Sequence, residues 1–149
     1  MVGNRQPRVL IVAGRNGAGK TTLAKRLVSQ HRKPLIIAPS REWGEWGDVE
    51  ALAKKAVAQG SDALVLDDAD AYLPTNPPPF WVKLLIINRH LGLDILLLSR
   101  RPQALPLWAV SAASHAYLLP LGPRERAWCK KALGHFPPET GYAPVVVTL

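Results

Sequence analysis

Cysteine, acidic side chains and long apolar runs are all scarce in this chain of 149 residues. The single cysteine, Cys129, excludes an intrachain disulfide and favours a reducing compartment. No run of about twenty apolar residues occurs, so no membrane-spanning helix is expected. The N-terminal stretch lacks the small-residue cleavage site of a signal peptide, and we therefore expect a cytoplasmic protein.

The charge of the chain is strongly unbalanced. Eleven Asp and Glu residues face nineteen Lys and Arg residues, which gives a net charge of +8. This excess favours a polyanionic partner such as nucleic acid, with solubility alone as the alternative. The histidines lack metal-ligand spacing; they are His31, His90, His115 and His135.

Apolar, β-branched runs alternate with segments of helical period along the whole chain. The runs that predict strands cover residues 8–14, 34–40, 62–70, 93–102, 114–121 and 143–149, and the last of these is expected at an edge of the sheet. The segments that predict helices cover residues 19–31, 47–60, 80–92 and 123–134, with Asp48 as an N-cap and Gly60 and Gly134 as helix ends. This alternation predicts a single α/β domain whose mostly parallel sheet carries helices on both faces. Ligands of such sheets bind at the carboxyl ends of the strands.

The stretch "GRNGAGKTT", residues 14–22, matches the phosphate-binding pattern G-x-x-x-x-G-K-[ST] at every fixed position. Its glycines let backbone N–H groups surround phosphate oxygens, and the helix that follows adds its positive N-terminus. Lys20 is expected to neutralise the β- and γ-phosphates of ATP, and the Thr21 hydroxyl to bind Mg²⁺. The predicted nucleotide-binding residues are Gly14, Arg15, Asn16, Gly17, Ala18, Gly19, Lys20, Thr21 and Thr22.

A second motif, "ALVLDDAD", places acidic residues directly after a buried strand. Asp67 is expected to hold Mg²⁺ through its water shell. Asp68 is the candidate general base that polarises the attacking water. Asp70 is the alternative base, or a cap for the next turn, and both Asp68 and Asp70 could also be solvated loop acids.

The segment "RHLGLDILLLSRRP", residues 89–102, resembles the FtsK–HerA superfamily of DNA-pumping ATPases. In that family an Arg and a Gly precede an apolar strand that ends in Thr-Gln-Arg-Pro. Arg89, Gly92 and the pair 101–102 match this pattern, whereas Ser99 and Arg100 replace the Thr and the Gln. The resemblance extends from the phosphate-binding loop to about residue 134.

This resemblance implies a strand order of 5-1-4-3-2 and a ring, usually of six subunits, that threads double-stranded DNA. It also implies that the polar residue at this strand end, where Ser99 and Arg100 stand, senses the γ-phosphate; the alternative is that Arg100 stabilises transition-state charge. The family further implies that an arginine completes the site of a neighbouring subunit. Arg89 is the first candidate for that role, followed by Arg101 and Arg100; a solvated cation at a helix end is the alternative for Arg89.

The short chain is most similar to viral genome-packaging ATPases. That similarity implies capsid vertex proteins as further partners, and the host cytoplasm or the virion as the location. Filamentous-phage assembly ATPases resemble it too.

Three other functions compete with a DNA motor. A nucleotide or small-molecule kinase shares the loop pattern but usually needs an Arg-rich lid. An ABC-type ATPase requires a Leu-Ser-Gly-Gly-Gln signature, which is absent from the sequence. A non-catalytic nucleic-acid-binding module leaves the phosphate loop and Asp67 unexplained.

The five tryptophans leave two roles open. Trp43 and Trp46 could stack on a base or fill the core beneath the sheet. The other three are expected to pack in the interior, as is Cys129.

Overall fold

The computed structural model describes residues 6–149, so the first five residues, on which part of the signal-peptide expectation rests, lie outside it. All six predicted strands are present. They are β1 (Val9–Ala13), β2 (Pro34–Ile37), β3 (Ala63–Leu66), β4 (Asp94–Ser99), β5 (His115–Leu118) and β6 (Val145–Thr148).

The strands form one sheet in the order β2-β3-β4-β1-β5-β6. Read from β5, the first five strands follow the expected order 5-1-4-3-2, and all their pairings are parallel. The sixth strand, β6, forms the edge, as predicted, and it differs from the other five because it runs antiparallel along β5. The carboxyl ends of β1, β3 and β4 therefore meet at one end of three adjacent strands.

Within residues 6–149, five α-helices connect and cover the strands. They are α1 (Lys20–Val28), α2 (Val49–Ala58), α3 (Pro79–Ile87), α4 (Leu107–Ala112) and α5 (Pro123–Trp128), which a π-helical turn (Cys129–Leu133) continues. The helix α4 was not predicted. It is only six residues long, too short to show a helical period in the sequence, and it begins after Pro106.

The sheet is buried on both faces, as the near-continuous apolar strands predict. In β1, Ile11 and Ala13 pack in the core beneath α2, α3 and α4, whereas Leu10 and Val12 pack beneath α1. The side chains alternate between faces because a strand has a period of two residues. The result is a three-layer arrangement of helix, sheet and helix.

The three residues predicted to mark helix ends are confirmed by the backbone, whereas α1 and α3 end at Val28 and Ile87, before the predicted ends at residues 31 and 92. The Asp48 carboxylate accepts a hydrogen bond from the Ala51 N–H at 2.9 Å and caps α2. Gly60 and Gly134 follow helices with φ of 73° and 77°, left-handed angles that favour glycine.

Most of the predicted packing residues lie in the interior. Trp81 is 3 % exposed and Cys129 is fully buried. Trp46 packs against the core and meets Tyr72 edge to face, and Trp108 and Trp128 also contact the core. Within residues 6–149, none of the helices has the length and apolar character that crossing a bilayer requires.

Candidate functional site

The glycine-rich loop joins β1 to α1, as the sequence predicts. Gly17 and Gly19 have φ of 78° and 96°, so the curl of the loop depends on glycine. The Gly14 N–H donates to the Ser99 carbonyl at 3.1 Å, and the Arg15 N–H donates to the Pro120 carbonyl at 2.9 Å. These bonds attach the loop to the ends of both strands that flank β1.

The loop borders an open cleft of ≈ 470 Å³ at the carboxyl ends of the strands. Most of the predicted site residues line this cleft: Asn16, Gly17, Gly19, Lys20, Thr21, Thr22, Asp67 and Asp68. Gly14 and Ala18 are buried beneath the loop and shape it. A Cβ at Gly14 would lie 3.0 Å from the Leu119 side chain, so a larger residue would displace the loop.

Lys20, at the start of α1, is held against the loop by a backbone contact. Its ammonium donates to the Arg15 carbonyl at 3.3 Å. Burial lowers the pKa of Lys20, and the nearby carboxylates of Asp68 and Asp67 oppose that shift. The ammonium is therefore held by a carbonyl of the loop and lies within electrostatic range of two carboxylates at the cleft.

Asp67 emerges from β3 and is half-buried at the cleft. Trp43 donates its indole N–H to the Asp67 carboxylate at 2.9 Å, and the Asp67 backbone N–H donates to the Ile37 carbonyl at 2.9 Å. Burial raises the pKa of Asp67, and the adjacent Asp68 charge adds to that effect. The indole thus orients the carboxylate that the sequence assigns to Mg²⁺.

The oxygen atoms at the cleft suit a magnesium ion. The Thr21 hydroxyl and the Asp67 carboxylate line the same space, and Mg²⁺ prefers one or two such oxygens together with water and substrate phosphates. Among the described residues, no group of three His, Cys, Asp or Glu side chains could form a metal site made of protein ligands alone. The residues present therefore fit Mg²⁺ brought in with a nucleotide.

The two candidate bases have different surroundings. Asp68 lines the cleft, and its backbone adopts a left-handed conformation with φ of 54°, which is uncommon outside glycine. Asp70 instead accepts a hydrogen bond from the Ser99 hydroxyl at 2.7 Å. The structure therefore brings Asp68, rather than Asp70, to the cleft; the role of either as base stays a prediction.

Ser99 ends β4 and is fully buried. Its hydroxyl donates to Asp70 and accepts from the Arg101 N–H at 3.1 Å. The hydroxyl thus joins the end of β4 to the acidic turn after β3. A response of Ser99 to the γ-phosphate remains a prediction; Ser99 is linked to the acidic turn through its hydroxyl and to the P-loop through its carbonyl, which accepts from the Gly14 N–H.

The three candidate arginines lie at opposite ends of β4. Arg100 and Arg101 are exposed at its carboxyl end, where the Arg100 charge lowers the pKa of Lys20. Arg89 precedes β4 and lines a separate cavity with Arg8 and His115. The length of β4 therefore separates Arg89 from the phosphate loop of its own chain.

No protein-family model matches the sequence, and no curated protein matches it either. Solved structures match it through their fold. The genome packaging NTPase B204 from Sulfolobus turreted icosahedral virus 2, in complex with ATPγS, has a TM-score of 0.68 and 18 % identity over 84 % of this chain and 80 % of that one. This chain has the fold of a P-loop NTPase.

Two further structures support that assignment. The N-terminal domain of zonular occludens toxin from Neisseria meningitidis has a TM-score of 0.56 and 18 % identity over 76 % of each chain. The cytoplasmic domain of the type VII secretion ATPase EccC from Thermomonospora curvata has a TM-score of 0.63 and 15 % identity over 95 % of this chain and 22 % of that one. The predicted resemblance to packaging ATPases is thus confirmed at the level of the fold.

Sequence reasoning missed four residues at this P-loop site. Ser40, Glu42 and Tyr142 line the cleft, and Trp43 contacts Asp67, although Trp43 was considered only for base stacking or core packing. The position of Ser40, Glu42 and Trp43 just after β2 was an available signal, because ligand sites form where parallel strands end. For Tyr142 the sequence holds no comparable signal, since only the return of β6 along β5 brings it to the loop.

The loop after β2 is fixed tightly in place. The Glu45 N–H donates to the Ile36 carbonyl at 2.8 Å, and the Ala38 N–H donates to the Glu45 carbonyl at 2.9 Å. A Cβ at Gly44 would lie 2.5 Å from the Ile36 carbonyl oxygen, so only glycine fits. This packing positions Glu42 and Trp43 at the rim of the cleft.

Proposed function

We propose that the protein is a Mg²⁺-dependent ATPase that translocates double-stranded DNA, and that it packages a viral genome. The observation that carries the ATPase part is the meeting of Lys20, Thr21, Asp67 and Asp68 around one cleft at the N-terminus of α1. A basic group, an oxygen pair for Mg²⁺ and a carboxylate for water are the parts that phosphoryl transfer to water requires.

Each group has a distinct task in hydrolysis. The loop backbone of residues 15–19 and the Lys20 ammonium bind the β- and γ-phosphates. Thr21 and Asp67 hold Mg²⁺, which neutralises charge on the phosphates when it is bound. Asp68 orients the attacking water and accepts its proton. Trp43 keeps the Asp67 carboxylate in the orientation that this arrangement needs.

The motor part of the proposal rests on charge and on the position of Arg89. A net charge of +8 favours a polyanion such as DNA. Arg89 is exposed at the end of the sheet opposite the P-loop, where it can enter the site of a neighbouring subunit in a head-to-tail ring. The fold likeness to a structure described as a genome packaging NTPase supports the same function.

The proposed entry of Arg89 into a neighbouring site requires that the subunits assemble. We propose a ring of six subunits around double-stranded DNA, in which the γ-phosphate state of each site controls the position of the next subunit. In a packaging motor, capsid vertex proteins would be the further partners, and the ring would work in the host cytoplasm or on the virion.

The first test is ATP hydrolysis by the purified full chain with Mg²⁺, with and without long double-stranded DNA. We expect DNA to stimulate hydrolysis, and Lys20→Ala to lower it by roughly two to three orders of magnitude. Lys131→Ala, which removes an exposed lysine of the π-helical turn, is the matched control and should behave like the unmodified protein.

Two results would contradict the proposal. Full hydrolysis by Lys20→Ala would show that the cleft around Lys20 is not the site of ATP hydrolysis. Hydrolysis that is indifferent to DNA would instead favour a nucleotide or small-molecule kinase. A parallel titration measures DNA affinity against salt, where phosphate contacts predict a steep fall and a flat curve would argue against them.

A further inference from the structure

Tyr142 lies at the centre of the spaces around the P-loop, although it precedes β6 near the C-terminus. Tyr142 is 73 % exposed, so one face of its aromatic ring is open to a ligand. It lines the phosphate cleft and also two smaller cavities on either side of the loop. Among the described residues, Tyr142 is shared by all three spaces.

The ring is placed directly against the loop. A Cβ built on Gly19 would lie 3.0 Å from Cδ1 of Tyr142 and 3.6 Å from Cε1. Gly141 turns the chain into this position with φ of 90°, an angle that few other residues adopt. A left-handed glycine thus stands on each side of the contact, one before the tyrosine and one in the P-loop.

The larger of the two flanking cavities is here called the side slot, and it is lined by Gly19, Thr22, Leu23, Arg26 and Tyr142. It has a volume of ≈ 360 Å³, within the range of about 300–1,000 Å³ that is usual for small-molecule sites. The cavity on the other side of the ring, beside Arg15 and Pro120, has only ≈ 160 Å³. Of these two flanking cavities, only the side slot is large enough for a nucleoside.

The side slot is continuous in position with the phosphate cleft. Gly19, Thr22 and Tyr142 line both spaces. A nucleotide whose phosphates lie on the loop can therefore extend its base past Thr22 along the first turns of α1. There it would meet the tyrosine ring, the apolar Leu23 and the guanidinium of Arg26.

We propose that Tyr142 is the stacking platform for the base of the bound nucleotide and that the side slot holds the nucleoside. This inference rests on the proposed function, since it names the part of the site that binds the base of ATP. Every base presents a π-face, so stacking on the ring tolerates different bases. Arg26 supplies N–H donors for the ribose hydroxyls or for acceptor atoms on the base.

The test compares two ligands that share a phosphate chain, Mg²⁺–ATP and Mg²⁺–tripolyphosphate, the latter of which lacks a nucleoside. Their affinities are measured by calorimetry for the full chain and for three variants. Tyr142→Ala removes the ring, and Tyr142→Phe keeps the ring without the hydroxyl. Phe136→Ala is the matched control, because Phe136 is also an exposed aromatic residue near the C-terminus, packed against Arg126 and Lys130.

A base platform predicts that Tyr142→Ala weakens ATP binding roughly 5- to 150-fold and leaves tripolyphosphate binding unchanged. Tyr142→Phe and Phe136→Ala should bind both ligands like the unmodified protein. The same series with GTP should show a similar loss in Tyr142→Ala.

Two outcomes would overturn the inference while leaving the ATPase proposal intact. Equal losses for ATP and tripolyphosphate would show that the ring acts on the phosphate chain or on the shape of the loop. Unchanged ATP affinity in Tyr142→Ala would show that the base lies elsewhere. If the unmodified protein binds neither ligand, the proposed nucleotide site itself fails and the inference fails with it.

Discussion

A mixture of two inactive variants, Lys20→Ala and Arg89→Ala, is expected to hydrolyse ATP if the protein works as a ring. The reason is the geometry of β4, whose six residues separate the two side chains. At about 3.3 Å per residue the strand is about 17 Å long, and an arginine side chain cannot bridge that distance within one subunit. Arg89 can therefore reach only the P-loop of another subunit.

The size of the recovery follows from this arrangement. A site in a mixed ring works when its own subunit carries Lys20 and the neighbouring subunit carries Arg89. In an equal mixture each condition holds for half of the positions, so about a quarter of the sites are complete. Hydrolysis by Lys20→Ala alone should be reduced by roughly two to three orders of magnitude, and hydrolysis by Arg89→Ala alone by about 10³-fold or more, because every site then lacks one of the two groups.

The assay mixes the variants before ring assembly at constant total concentration, with Mg²⁺–ATP and double-stranded DNA in excess. Hydrolysis plotted against the mixing ratio should rise to a maximum at equal amounts and fall to the baseline at both ends. The matched control mixes Lys20→Ala with Thr21→Ala, whose lesions lie in the same cleft. That pair should show no recovery, because no subunit has a complete P-loop.

Two results would refute the reasoning. Hydrolysis near the unmodified level by Arg89→Ala alone would show that Arg89 is a solvated cation at a helix end. An equal mixture that stays at the baseline, although both variants form rings, would show that Arg89 does not act in trans. Arg100 and Arg101, at the carboxyl end of β4, would then be the candidates to exchange in the same experiment.

Three further substitutions test the local structure. Asp67→Asn should raise the melting temperature near neutral pH and abolish hydrolysis. Burial raises the pKa of Asp67, so the ionised carboxylate opposes folding near neutral pH. The increase in melting temperature should vanish as the pH falls below the usual carboxyl range, where Asp67 is protonated in both the folded and the unfolded protein. Ser99→Ala should lower the free energy of unfolding in urea by about 1–3 kcal/mol, because it removes both hydrogen bonds of a buried hydroxyl, one of them to a carboxylate. Gly44→Ala should lower the free energy of unfolding by about 1–3 kcal/mol, because its Cβ would clash with the Ile36 carbonyl. In the control Gly47→Ala the nearest contact of the added Cβ is 4.0 Å away, so the free energy of unfolding should change by no more than about 0.5 kcal/mol.

Each of these expectations can be contradicted by its own measurement. A lower melting temperature for Asp67→Asn near neutral pH would show that the ionised carboxylate stabilises the fold. An unchanged urea midpoint for Ser99→Ala would show that its two hydrogen bonds add nothing to stability. Similar unfolding curves for Gly44→Ala and Gly47→Ala would show that the loop after β2 can move aside.

Much of the fold was predictable because its signals are local. The six apolar runs became the six strands, and the glycine and aspartate positions marked the helix ends. The strand order came from the resemblance at residues 89–102, since pairing between distant strands leaves no local pattern. The sixth strand was predicted as an edge, but its antiparallel place beside β5 is a feature of the folded sheet.

The P-loop side of the site could also be predicted from the sequence, because the loop conformation depends on consecutive residues, 14–22. Lys20 and Thr21 follow the glycines directly, and the end of a buried strand delivers Asp67 and Asp68 to the same edge. The remainder depends on contacts between distant segments, such as the bond from Trp43 to Asp67 and the bond from Ser99 to Asp70.

The sequence by itself determined the α/β pattern, the phosphate-binding loop and the carboxylates that follow β3, because short-range periodicity and consecutive residues encode them. Only the tertiary structure decided which of the acids faces the cleft, that Arg89 lies at the far end of β4, and that Tyr142 rests on Gly19. These relations join residues far apart in the chain, and they exist only once the sheet has brought the ends of its strands together.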